Sequence, residues 1–363
     1  METNEIYKAF GRDYKAMTRR LLERAELASL IGRRDARIGI KPNLVVPTPA
    51  LFGATTHPEI MAGIVEYLQE AGFANLSIVE GSWVGDRTEE AFEYCGYNAL
   101  AREYGVRLID GQTERAMPLD CAGQTLRVCE CVRDIDFLIN VPVLKGHCQT
   151  RMTCALKNLK GLLPNSEKRR FHSLGLHRPI AHLNAGIRQD FIVVDHICGD
   201  PDYEEGGNPL ERNCVMVARD PVLTDCYGCT LLGLEPEDVA YIPLAAELGV
   251  GSMDLSTLRV RVWEGEDTES VPESRRLIDL CYAAEDVQSC SACRSALTEA
   301  LDRLRSDGVL DRLDVPVSVG QGFRGKSGIL GVGSCTAGFD ANVPGCPPSA
   351  EDIYRFLAAR LGV

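Results

Sequence analysis

The run Ala36-Arg37-Ile38-Gly39-Ile40 is followed by His57–Ala71 and then by Leu76-Ser77-Ile78-Val79. The first is short and apolar, which predicts a strand. In the second, Ile60, Met61, Ile64, Val65 and Leu68 recur at helical spacing. Pro58 stands at the first helical position and Gly72 ends the run, so a helix is predicted over 57–71. The third run is again strand-like. Strand, helix, strand is the unit from which parallel sheets are built. The alternation continues outward through a helix at Thr88–Tyr104 and strands at Val106–Ile109, Leu126–Val132 and Phe137–Val143. A helix at Thr150–Leu162, strands at Phe191–Val194 and Cys214–Ala218, and helices at Val222–Leu232 and Pro236–Leu248 extend it. The expected fold class is α/β, a mainly parallel sheet flanked by helices.

Leu258–Trp263 predicts a further strand, and the acidic stretch Glu264–Glu273 marks a boundary. The expected division is a large α/β domain over 1–255 and a smaller C-terminal α/β unit over 256–363. The smaller unit has a predicted helix at Ser289–Arg305, strands at Val315–Val319 and Ile329–Val332, and a last helix at Ser349–Leu361.

The chain has 363 residues, 45% hydrophobic and 25% charged, which suits a folded globular protein. Its net charge of −13 argues against bulk nucleic-acid binding, which needs a basic footprint. Met1 to Arg20 is charged and has no apolar core, so no secretory signal is expected. No apolar run is long enough for a membrane helix. With 15 cysteines and no export signal, the expected compartment is the reducing cytoplasm, and some thiols are expected to bind metal.

Four cysteines stand in predicted turns: Cys290 and Cys293, spaced C-x2-C, then Cys335 in Gly333-Ser334-Cys335, and Cys346 before Pro347-Pro348. Four thiolates so placed suit a tetrahedral sulfur site, a 4Fe-4S cluster or zinc. Gly333-Ser334-Cys335 with the later Val343-Pro344-Gly345-Cys346-Pro347-Pro348 resembles the cluster-binding segments of the nickel–iron hydrogenase small subunit and its relative in respiratory complex I. That resemblance implies iron–sulfur ligation over about 280–363, with Cys281 as an alternative ligand. Cys226 and Cys229 form a second C-x2-C, inside a predicted helix, and read as structural. Gly320–Ser327 matches a phosphate-binding loop pattern, but a strand rather than a helix follows it. Arg324 and Lys326 then read as donors beside the cluster.

Other segments recur in order: Lys41-Pro42-Asn43-Leu44, Thr55-Thr56-His57-Pro58-Glu59, Val141–His147, Thr153–Gly161, and Asp220-Pro221-Val222 with Asp225. Over about 37–230 they resemble the family called domain of unknown function 362. The resemblance implies a fold, a site and frequent iron–sulfur clusters, with no assigned reaction. The sheet domain also distantly resembles the lactate-racemase family, without a matching ligand motif.

Independently of the resemblance, Lys41, Glu80, Asp110, Lys145 and Asp195 each fall at or just after a predicted strand end. Parallel strands would bring them to the carboxyl edge of the sheet, where open α/β folds bind ligands. Residues 145–178 hold eight basic groups against Glu167 alone, an island of +7 in an acidic chain. Such an island focuses an anion, and a helix starting near Thr150 would add N–H donors. The expected substrate-binding residues are Lys145, Arg151, Lys157, Asn43, His57 and Asp195, and the expected proton movers are His147, Lys41 and Glu80. The expected function is an iron–sulfur redox enzyme acting on an anionic small molecule, with a possible redox protein partner. The alternatives are an electron carrier or binding protein with a structural metal, or non-redox isomerase or lyase chemistry.

Overall fold

The computed structural model describes residues 1–271 and 278–363. The chain divides into two units, one of Met1–Lys168 with His177–Pro272 and one of Arg169–Leu176 with Glu273–Val363.

In the first unit the predicted helix forms at Pro58–Glu70, capped by His57, and buries Ile60, Met61, Ile64, Val65 and Leu68. Each such side chain removed from water contributes about 1.5–3 kcal/mol. The flanking runs form β2 (Ile38–Lys41) and β3 (Leu76–Glu80), paired in parallel. They lie in an eight-stranded sheet with β1 (Glu5–Phe10), β4 (Arg107–Asp110), β7 (Phe137–Asn140), β10 (Phe191–His196), β11 (Cys214–Ala218) and β12 (Arg259–Glu264). The order is β12-β1-β11-β10-β7-β2-β3-β4. Only β11 opposes its neighbours. The chain therefore adopts the expected α/β class with a mainly parallel sheet.

Two antiparallel hairpins stand outside this sheet. One pairs β5 (Ala116–Cys121) with β6 (Gln124–Cys129), the other β8 (Lys145–His147) with β9 (Arg151–Thr153). The second corrects the helix expected from Thr150. Arg151 turns the backbone at φ 63°, and the helix starts only at Ala155–Asn158. Its first N–H groups, those of Ala155 and Leu156, are taken by the Asp225 carboxylate at 2.7 and 3.2 Å, so they do not serve an anion. The helix expected over Thr88–Tyr104 is two helices, Thr88–Tyr94 and Tyr97–Tyr104, separated by Gly96 at φ 80°. β1 was not foreseen, because its Lys8 breaks the apolar run. Lys8 is nevertheless buried, with Asp267 Oδ2 at 3.1 Å and the Tyr227 hydroxyl at 3.0 Å.

β12 pairs in parallel with β1, so Arg259–Glu264 completes the large sheet, and the change of unit falls at 272–273 instead of at 256. The second unit carries its own parallel sheet, β13 (Ala284–Asp286), β14 (Val317–Val319), β15 (Leu330–Val332) and β16 (Ala341–Val343), in chain order. The helices Ser291–Ser306 and Ala350–Leu361 bury Leu297, Leu301, Leu304, Ile353 and Leu357. After Ser327 no helix follows, which removes the phosphate-loop reading.

Candidate functional site

Register brings polar residues together at the carboxyl edge of the main sheet. Lys41 of β2 stands opposite Asn140 of β7, and Glu80 of β3 opposite Asp110 of β4. Lys41 and Glu80 are both buried and pair at 2.8 Å, Nζ to Oε2. Glu80 also accepts the backbone N–H groups of Leu44 and Gly81 at 2.8 and 2.7 Å. Burial pulls the Lys41 ammonium below its usual range, against the pull of Glu80. Gly161 lies over the pair, where a Cβ would meet Glu80 Oε1 at 2.0 Å and Lys41 Nζ at 2.5 Å. A side chain there would have to displace the pair. Asn158 binds across the strand ends, its Nδ2 donating to Asn140 Oδ1 at 2.7 Å. Asp110 turns away and accepts the Gln112 N–H at 2.8 Å.

A second cluster is built on the β8–β9 hairpin. Lys145 Nζ donates to the carbonyls of Ala54 and Glu204 at 2.5 and 2.7 Å and faces Asn43 Oδ1 at 3.5 Å. Lys157 Nζ reaches Glu204 Oε1 at 2.6 Å and Thr153 Oγ1 at 2.9 Å. Burial pulls Lys145 down to about 7, with Glu204 opposing the shift, and also lowers Lys157. Burial would raise the Glu204 carboxyl, but His147, Lys157 and Lys145 around it hold it well below its usual range.

His147 Nδ1 accepts the backbone N–H groups of Gln149 and Thr150 at 3.0 and 3.1 Å. Its proton therefore sits on Nε2 in the neutral ring. Burial lowers this imidazole to about 4, against Glu204. Nε2 and Glu204 Oε2 approach to 2.7 Å, yet neither makes an aligned hydrogen bond. Arg151 does not join this cluster, and pairs with Asp238 at 3.2 Å while partly exposed. His57 and Asp195 pair with each other at 2.8 Å.

A cavity of about 400 Å³, lined by Asn184, Arg188, Gln189, Asp190, Arg219 and Asp220, includes none of the predicted residues.

In the second unit, each strand end of the parallel sheet leads into a turn that carries a predicted ligand or donor. Cys290 follows β13 and caps the helix Ser291–Ser306, with Cys293 in its first turn. Arg324 follows β14, Cys335 follows β15, and Cys346 follows β16. A Cβ on Gly333 would lie 3.6 Å from Cys293 Sγ and 3.6 Å from the Gly345 carbonyl, which brings the three turns to one place. Burial and then the charges of Cys290, Cys346 and Cys335 push the Cys293 thiol up to about 12. Arg324 Nε donates to Cys335 Sγ at 3.4 Å. Among the described residues, no three His, Cys, Asp or Glu side chains stand at metal-binding separation. The donor set is nonetheless four soft sulfurs, three of which lie within charge range of Cys293, and it fits a cluster or zinc in ligand type. The side chain of Cys281, the alternative ligand, lies outside the described residues.

A family model described as "Domain of unknown function (DUF362)" matches residues 38–230. The chain belongs to this family. Of the DUF362 motifs, Lys41-Pro42-Asn43, Val141–His147 and Thr153–Gly161 supply the two lysine clusters. The chain is 25% identical over 224 residues to the thylakoid-associated protein sll1697 of Synechocystis sp., which covers 59% of this chain and 68% of that protein. Among solved structures it is similar to the lactate racemase apoprotein of Thermoanaerobacterium thermosaccharolyticum (TM-score 0.41, 14% identity, covering 63% of this chain and 57% of that one). It is also similar to a structural-genomics protein of Thermotoga maritima (TM-score 0.38, 13% identity, covering 69% and 61%). The chain spans less than two thirds of the length of either structure. No helix among the described residues is long and apolar enough to cross a membrane.

In this DUF362 protein nothing in the sequence marked Glu204 or Cys198 as site residues, Lys168 counted only within the basic island, and Asn158 stood inside a family motif without a role. Glu204 lies in the loop after β10, far in sequence from the lysines it binds. Lys168 is buried, donates to the carbonyls of Gly81 and Ser82 at 2.8 and 2.7 Å, and is lowered to about 8 by burial. The available signal was the Thr153–Gly161 motif itself, which contains Asn158 beside the lysine that was chosen.

Proposed function

We propose that this protein is an iron–sulfur redox enzyme of the cytoplasm that acts on an anionic small molecule. What supports the reading is that Cys290, Cys293, Cys335 and Cys346 stand in turns that follow strands of the small parallel sheet. A 4Fe-4S cluster bound there supplies one-electron transfer. The Arg324 N–H directed at Cys335 sulfur would offset thiolate charge, and the open strand-end turns suit contact with a redox protein. In the large unit, Lys145 and Lys157 supply positive charge, Asn43 positions Lys145, and the unaligned Nε2–H of His147 holds a proton beside Glu204. Lys41 and Glu80 form a second proton-holding pair at the same sheet edge. Zinc on the same four thiols is the alternative that metal analysis separates.

Lys145→Ala is expected to abolish binding of small carboxylates and inorganic phosphate while leaving iron content unchanged. Calorimetry across a panel of these anions reads it. Because Lys145 is charged only below about 7, wild-type affinity is expected to fall as pH rises through that value. Unaltered binding in the variant would remove the lysine cluster from the function.

A further inference from the structure

A third constellation at the carboxyl edge of the main sheet has no part in the reading above. Asp195, near the end of β10, accepts His57 Nδ1 at 2.8 Å and the His57 backbone N–H at 2.7 Å on Oδ2. Its Oδ1 accepts the Ile197 N–H at 3.1 Å. Those bonds fix the carboxylate, and the carboxylate fixes the ring, with Nε2 turned away from it. Nε2 meets Cys198 Sγ at 3.8 Å. The thiol also reaches the Ala50 carbonyl at 3.3 Å. All three side chains are buried, and the Tyr14 ring stands edge-on to His57 at 5.5 Å. Burial opposes charge on His57, but the Asp195 carboxylate outweighs it and lifts the imidazole to about 10. A cysteine that only filled space would need no imidazole held against it by a carboxylate. Nucleophile, proton carrier and orienting acid in sequence are the arrangement that activates a thiol.

The surroundings indicate the substrate. Asp195 bridges to Val143, and its carbonyl accepts the Leu144 N–H at 3.0 Å, so Lys145 follows directly. Lys145 and Cys198 bind carbonyls of the same loop, those of Ala54 and Ala50. The thiol and the lysine cluster are therefore both tied to that loop.

We propose that Cys198 is a nucleophile that accepts an acyl group from an activated, negatively charged acyl compound such as a thioester or aryl ester, with His57 carrying the proton and Asp195 orienting it. Cys198 attacks as the thiolate paired with the His57 imidazolium, and the sulfur bonds to the acyl carbon. The bond from that carbon to the leaving group breaks, and the leaving group departs with the proton from His57. The products are S-acyl Cys198 and the protonated leaving group. No oxidation occurs.

The test uses the full chain prepared anaerobically, with p-nitrophenyl acetate and the mono-p-nitrophenyl ester of succinate as probes. Acylated peptides are mapped by mass spectrometry after an acid quench. Cys95 is the internal control, a buried thiol raised by burial that bonds the Thr48 carbonyl at 3.2 Å and has no imidazole. At pH 7, Cys198 is expected to acylate about a hundredfold faster than Cys95, the usual size of a base-assisted gain. The succinyl probe is expected to outpace the acetyl probe, and His57→Gln to bring Cys198 down to the Cys95 rate. A wild-type Cys198 no faster than Cys95 overturns the proposal without any variant. An unchanged rate in folded His57→Gln overturns the role of the imidazole, and equal rates for the two probes overturn the anionic substrate.

Discussion

Cys293→Ser is expected to take anaerobically prepared protein from about four irons per chain to below one, the cluster requiring four thiolates. The expectation rests on placement. Cys293 is in the first turn of the helix Ser291–Ser306, and the charges of the other three thiols act on it. A serine oxygen at that point is a hard, neutral ligand where a soft thiolate is needed. The control is Cys229→Ser. Cys229 belongs to the other C-x2-C, is buried within the helix Pro221–Leu231, and touches Met152 Sδ at 3.8 Å. It should lose no iron. Colorimetric iron and sulfide, with visible absorbance, read both variants. Equal iron loss in the two would point to general destabilisation and not to ligation.

Glu80→Ala should lower the unfolding free energy by about 3–5 kcal/mol, the usual cost of stranding one partner of a buried ion pair. Lys41 would keep its ammonium fully buried with only the Pro42 carbonyl at 2.6 Å and Asn158 Oδ1 at 3.5 Å. The backbone N–H groups of Leu44 and Gly81 would lose their acceptor as well. Glu89→Ala provides the comparison, because Glu89 pairs with Arg87 on the surface at 74% and 68% exposure. Such exposed pairs are worth less than about 1 kcal/mol. Urea unfolding of both variants measures the difference. A loss below about 1 kcal/mol for Glu80→Ala would mean that Lys41 sheds its proton or finds water, and that the pair does not organise this edge.

The parts of the fold legible in the sequence were those with an uninterrupted apolar period. Pro58–Glu70 shows its buried face at every turn, and β2, β3 and β7 carry short runs of isoleucine, leucine and valine. β1 was hidden because Glu5 and Lys8 find partners from distant segments, Arg261 for the first and Asp267 for the second. The β8–β9 hairpin was hidden because its turn depends on Arg151 taking a left-handed backbone conformation, which no residue type announces. The strand-end rule did bring Lys41, Glu80 and Asp195 to one edge. It left unread what they pair with. Glu204 and Cys198 lie in a loop without periodicity, and their roles exist only through contacts to residues some fifty to a hundred and forty positions away. The +7 island resembled a free field for an anion. Burial instead gave Lys145, Lys157 and Lys168 internal acceptors, so the charge available to a ligand is smaller than the sequence count.

Metal and sulfide analysis of wild-type protein purified without oxygen decides whether the four C-terminal cysteines hold a cluster. Brown protein with about four irons and four sulfides per chain and little zinc is expected. Colourless protein carrying one equivalent of zinc and no sulfide would contradict the cluster, and would make the small unit a zinc-stabilised fold.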